Sequence, residues 1–197
     1  MAAAVNILEF WFGPEGGPDW DMGRAVWFRP TLAFDMQCRD RFLADYEAAR
    51  AGRFDRWADD PRSCLALIVL LDQLPRNMFR GSPRTYESDD KALAVARHAV
   101  AARHDHVLRP VERSFVYLPF EHAEDLAAQH EGVALFSGLD LHPRGQEWLK
   151  IARRHMEIVA RFGRFPHRND ILGRPSTPEE IEFLTQPNSS FLRQPIE

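Results

Sequence analysis

Residues Cys64 to Leu71 are apolar without interruption. Asp60 and Pro61 stand just before them, an N-cap residue followed by a proline suited to the first helical position. A buried strand would give the same apolar run, but the cap and the length up to Leu74 favour a helix. A helix without a polar face has to be enclosed by other elements. Pro75 then breaks or kinks it. The run is far short of the roughly 20 residues that a membrane-spanning helix needs.

The flanking sequence supplies helices to enclose it. Thr31 to Ala51 carries Phe34, Cys38, Phe42, Tyr46 and Ala49 on one stripe, and Gly52 closes it. Ser88 is placed to cap a helix running to about Arg103, with Asp89 and Asp90 in its first turn. Pro110 to about Tyr117 reads as a short helix, a further one starts near Phe120 and runs to His130, and Val133 to Leu139 is another short piece. Pro143 to Phe162 is long and one-sided, and Gly163 ends it. Thr177-Pro178-Glu179-Glu180 is a capping box that opens a last helix. No segment alternates as a strand does. The expectation for the 197 residues is an all-α fold of about seven to nine helices, partly antiparallel, in one domain over 1–185 with an irregular tail over 186–197.

Composition removes several classes. A net charge of −4 and a pI near 6.1 argue against a nucleic-acid partner. The N-terminus lacks a basic region before its apolar stretch, so no secretory signal or membrane partner is expected. Cys38 and Cys64 are too few for a disulfide framework and lack metal-type spacing, which fits a reduced, cytoplasmic protein. No glycine-rich phosphate loop or Gly-x-Ser-x-Gly elbow is present, and no cofactor or metal is expected. Only Lys91 and Lys150 among the 25 basic residues are lysines. Compositional bias accounts for scattered arginines such as Arg24, Arg50, Arg97 and Arg153. Arginines gathered beside enclosed helices need a chemical account, because lysine lacks the planar fork that grips carboxylate or phosphate.

Three clusters carry that chemistry. The first is Asp72, Gln73, Arg76 and Asn77, directly after the apolar run. An enclosed carboxylate must be paired or hydrogen-bonded, and Arg76 lies one helical turn on. A structural ion pair and a functional group both satisfy that requirement. The second is Glu121, His122 and Glu124, a candidate acid/base pair that is weak as a metal site; an acidic helix N-terminus gives the same pattern. The third is Arg161, Arg164, His167, Arg168 and Asn169 around a helix end, extended by Arg174. Its forks suit an anionic ligand, or equally a salt-bridge network with Asp72, Glu121 and Glu124. His155 reads as a core histidine. The aromatic group Phe10, Trp11, Phe12, Trp20, Trp27 and Phe28 reads as packing for the N-terminal segment.

Four stretches in order, Ile7 to Gly13, Leu71 to Asn77, Tyr117 to His122 and Arg161 to Asn169, resemble the bacterial domain-of-unknown-function family 924. The resemblance spans Ile7 to about Leu184. It implies a tetratricopeptide-like fold of packed antiparallel helix pairs and no particular reaction. It also implies that the three clusters belong to one site. Ala123 stands where the family is expected to carry a serine. Two functions emerge as expectations. One is a binding module for an anionic small molecule or peptide, with arginines and Asn169 as the grip and carboxylates orienting them. The other is a hydrolase with Asp72 or Glu121 as base, His122 or His167 as acid and arginines stabilising developing charge. The sequence leaves the oligomeric state open.

Overall fold

The computed structural model describes residues 3–17, 22–27, 29 and 31–191. Trp20, Phe28 and residues 192–197 of the expected tail lie outside them. The described residues build helical elements and no sheet. The α-helical segments are α1 (Ala4–Phe12), α2 (Leu32–Arg50), α3 (Pro61–Ile68), α4 (Leu74–Met78), α5 (Asp89–Ala101), α6 (Pro110–His122), α7 (Leu126–Ser137), α8 (Gly145–Phe162) and α9 (Pro178–Leu184). No described helix is long and apolar enough to cross a membrane.

The enclosed helix is at the centre. Asp60 accepts from the backbone N–H groups of Arg62 and Ser63, as its capping role requires. Every residue from Cys64 to Asp72 is buried to complete exclusion of solvent. α1, α5 and α6 pack against α3, while α2 packs on α4 and on the segment that joins α3 to α4. From α5 onward each helix packs on the next one in sequence, α5 on α6, α6 on α7 and α7 on α8. A smaller core of Ile158, Val159, Phe165 and Phe183 fixes α9 to the end of α8.

Pro75 is accommodated without breaking the rod. Residues Val69–Gln73 form a turn of π-helix, and the Leu74 N–H reaches back to the Val69 carbonyl. A proline has no N–H and crowds the carbonyl four residues before it, here Leu71. That carbonyl accepts from the Ser88 hydroxyl instead. Ser88 therefore sits at the N-cap of α5 as expected, but its side chain serves another helix rather than its own. The next carbonyl, that of Asp72, accepts from the Arg76 guanidinium. Two side chains thus bond to backbone carbonyls beside the proline and the π turn.

Three expectations about local structure change. α6 runs unbroken through Pro119 to His122, because a proline in the last turn removes one hydrogen bond while the buried side chains around it continue. The pieces expected over 120–130 and 133–139 are instead the end of α6 and the single helix α7. α8 starts at Gly145, where a Cβ would sit 2.0 Å from the Leu139 carbonyl oxygen, so only glycine fits that approach. Gly163 ends α8 in the left-handed region, φ 69°, as its sequence position predicts.

Ser88→Ala removes the hydroxyl donor from the buried Leu71 carbonyl. It is expected to cost about 1–3 kcal/mol of stability in urea unfolding. Adding Pro75→Ala, which restores an N–H to this turn, should return part of that loss.

Candidate functional site

A π turn displaces side chains from the regular helical path, and Asp72 lies inside this one, fully excluded from solvent. An ion without partners there would cost several kcal/mol, and the chain supplies three. Arg76 Nη1 lies 3.4 Å from its Oδ1, His122 Nδ1 lies 2.8 Å from the same oxygen, and Gln73 donates to Oδ2 at 2.5 Å. Burial by itself raises the Asp72 pKa. The adjacent Arg76 and His122 outweigh it and hold the carboxyl well below the usual range. Burial, reinforced by Arg76, lowers the His122 pKa despite the pull of Asp72. The contact is therefore a neutral imidazole donating to a carboxylate.

Arg76 also forks onto Asp89 of α5 at 3.0 and 3.1 Å. Arg168, from the turn after α8, reaches the same carboxylate at 3.4 Å and donates to the His122 carbonyl at 2.9 Å. Its guanidinium carbon lies 4.5 Å from the ring centres of both Tyr86 and Phe165, so the charge is buried between two aromatic faces. Arg168 is 6% exposed, its pKa is lowered by burial, and its Nε makes no hydrogen bond among the described residues.

Arg76, His122 and Arg168 of this group line a cavity of about 490 Å³. Gln73, Arg76, Asn77, His122, His167 and Arg168 line it, with Glu121 and His155 beside them. Trp11, Trp27, Val111, Phe115, Phe136 and Trp148 make its apolar walls. Asp72 and Asp89 lie behind the guanidiniums and do not reach this cavity; Arg80 and Arg144 line it as well. Asp35 also lines it, but is engaged by Arg80 Nε at 2.7 Å and by Asn77 at 2.6 Å. A second cavity of about 390 Å³, acidic in its lining, shares Tyr86, His122 and Arg168 with the first.

Burial lowers the pKa of all three imidazoles that line the cavity, His122, His155 and His167. Burial, then Arg168, pushes His167 down to about 3. Burial also holds His155 well below its usual value. Its Nδ1 hydrogen-bonds the Ile151 carbonyl at 3.0 Å and lies 3.3 Å from Glu121, which is no ion pair while the ring is neutral. The His155 ring is stacked on Phe191, with centres 3.5 Å apart.

The sequence clusters meet only in part. Asp72, Gln73, Arg76, Asn77, Glu121, His122, His167 and Arg168 come together around the cavity. Arg161 and Arg164 do not, since they pair with Glu179 and Glu180 of α9 at 2.8 and 2.7 Å. Asn169 bonds Ser176 and Glu180, and Glu124 holds Arg174 and the Phe165 N–H. These four residues fasten the segment after α8. Glu121 and Glu124 do not share a helix face, and neither is at a helix N-terminus. Glu121 lies in the last turn of α6, and Glu124 lies in the connection to α7. Sequence reasoning missed Asp35, Tyr86 and Asp89 as members of the site. Arg80, one turn beyond Arg76, carried a visible signal; Asp35 carried none. His155, read as core, is both buried and part of the wall.

The unfolded chain protonates His167 near its ordinary value of 6.5, whereas the folded chain resists until about 3. Acid therefore favours the unfolded state throughout that window. Urea midpoints are expected to fall as pH drops from about 6.5 toward 3, and His167→Gln should make the slope shallower.

The same architecture recurs in a solved structure of a protein of unknown function from Agrobacterium tumefaciens. The two superpose with a TM-score of 0.81 and 43% identity, covering 92% of this chain and 96% of that one. Two curated fungal proteins also match in part. A probable Xaa-Pro aminopeptidase of Aspergillus fumigatus is 30% identical over 101 residues, and one of Aspergillus clavatus is 32% identical over 102. Each match takes in 49% of this chain and spans only 20% of the length of those relatives. The family model described as bacterial protein of unknown function, DUF924, matches residues 7–188, and the chain belongs to that family.

Proposed function

We propose that this protein is a binding protein for a small amphipathic carboxylate, held in the 490 Å³ cavity. Apolar pockets with a few convergent polar groups are the usual form of small-molecule sites. The observation that carries the reading is the pair of guanidiniums of Arg76 and Arg168, the latter 6% exposed, in a cavity lining that also carries Trp11, Trp27, Phe115, Phe136 and Trp148. Two guanidiniums in one lining make the complement an anionic head group. The carboxylates that neutralise Arg76 and Arg168 lie behind them, which leaves the positive side toward the cavity. The walls favour a hydrocarbon or aryl body over a free phosphate or a long polar peptide.

The helix pairs α5–α6 and α7–α8 are read as a tetratricopeptide-like arrangement whose inner face holds the ligand, and the free, buried Cys38 and Cys64 suit a reducing cytoplasm. The peptidase name of the fungal relatives belongs to much longer proteins, of which the matching stretch is 20%.

Thermal unfolding with octanoate, 3-phenylpropanoate and the matching amide octanamide tests the reading. The carboxylates are expected to raise the midpoint and the amide to do so much less. Arg168→Gln should erase the difference. Equal stabilisation by acid and amide, or none by either acid, overturns it.

A further inference from the structure

The His122 imidazole is held in a way that ligand binding alone does not require. Its Nδ1 faces the ionised Asp72 at 2.8 Å, so the ring proton sits on Nδ1. The opposite nitrogen, Nε2, is then a bare lone pair, and it makes no hydrogen bond among the described residues. His122 lines this cavity and the smaller one beside it.

The backbone around it is pinned. Gln129 donates to the Glu121 carbonyl at 2.7 Å and to the Ala123 carbonyl at 2.8 Å, and Arg168 donates to the carbonyl of His122 between them. The carboxylate partner is equally fixed, by Gln73 and Arg76, and sits in a π turn. Such turns recur at functional sites. Burial and Arg76 keep the ring neutral, which is the form that accepts a proton. The charged and titratable groups facing it are Asp72, Arg76 of α4, Asp89 of α5, His155 of α8, and His167 and Arg168 from the turn after α8.

We propose that Asp72 and His122 form a general-base dyad that hydrolyses a carboxylic ester bound in this cavity. The inference rests on the amphipathic-carboxylate reading, because the acid released is that ligand. His122 Nε2 takes a proton from water as the oxygen adds to the ester carbonyl carbon. The tetrahedral anion forms on the side of Arg76 and Arg168, whose guanidiniums line the same cavity. It collapses with cleavage of the carbon–oxygen bond to the alcohol. The departing alkoxide takes the proton back from Nε2. One water is consumed, one acid and one alcohol are released, and nothing is oxidised or reduced. Asp72 keeps its charge throughout; it orients the ring and stabilises the transient imidazolium.

The test uses p-nitrophenyl acetate, butanoate and octanoate with the full chain. Turnover is expected to increase with acyl length and to rise with pH through a single ionisation below the ordinary histidine value. His122→Gln, whose amide still reaches Asp72, should lower kcat by roughly 100-fold or more and remove that ionisation while leaving the unfolding midpoint near wild type. Asp72→Asn should act in the same direction; if it does not fold, His122→Gln decides alone. His106→Gln, at an exposed histidine, should change nothing. Hydrolysis no faster than in His122→Gln overturns the proposal. If octanoate stabilises the wild type while the esters stay intact, the dyad proposal fails and the binding reading stands. If neither occurs, both fail.

Discussion

A carboxylate in the middle of an apolar core organises the surroundings of this cavity. Asp72 comes directly after a helix that is enclosed on all sides, so its charge has no route to solvent. Arg76, His122 and Gln73 are each positioned by that requirement. Arg76 in turn draws Asp89 to it, and Asp89 draws Arg168 from beyond the end of α8. One buried charge thereby ties α4, α5, α6 and the segment after α8 into a single polar wall. Beside the π turn and Pro75, Ser88 and Arg76 donate to the Leu71 and Asp72 carbonyls. Backbone and side-chain requirements are met by the same few residues.

The arginines divide into two kinds of work. Arg161, Arg164 and Arg174 fasten the C-terminal segment through Glu179, Glu180 and Glu124. These guanidiniums lie at or near the surface, where an ion pair contributes little unless it belongs to a network. Arg76 and Arg168 are enclosed, and each divides its fork among several acceptors. A lysine has no planar fork to share among acceptors in this way. The skew toward arginine has a structural meaning at those two positions, whatever its origin elsewhere.

Much of the fold was legible in the chain. Asp60-Pro61, Gly163 and the Thr177 capping box are local signals with local causes, and each stands where the sequence predicts. The enclosure of residues 64–71 followed from the missing polar face. Pro119 misled because a proline near a helix end costs one bond, which the buried surface of α6 outweighs. The π turn was invisible, since one extra residue in a turn leaves no mark on an already apolar run. The clusters of the site were legible as clusters, but their pairing was not. Asp35 and Asp89 lie on other helices than the arginines they hold, and only packing brings them together. Glu121 and Glu124 looked like one acidic face because the helix boundary falls between them.

The site stands on the state of a single imidazole. Nitrogen-15 NMR of labelled histidine, assigned through His122→Gln, reads that state without any ligand or substrate. The result required is a neutral His122 ring near neutral pH with the proton on Nδ1 and Nε2 bare, and a resonance that shifts in Asp72→Asn. A proton on Nε2, or a charged ring at that pH, would contradict the arrangement of Asp72, Arg76 and His122 from which the site is built.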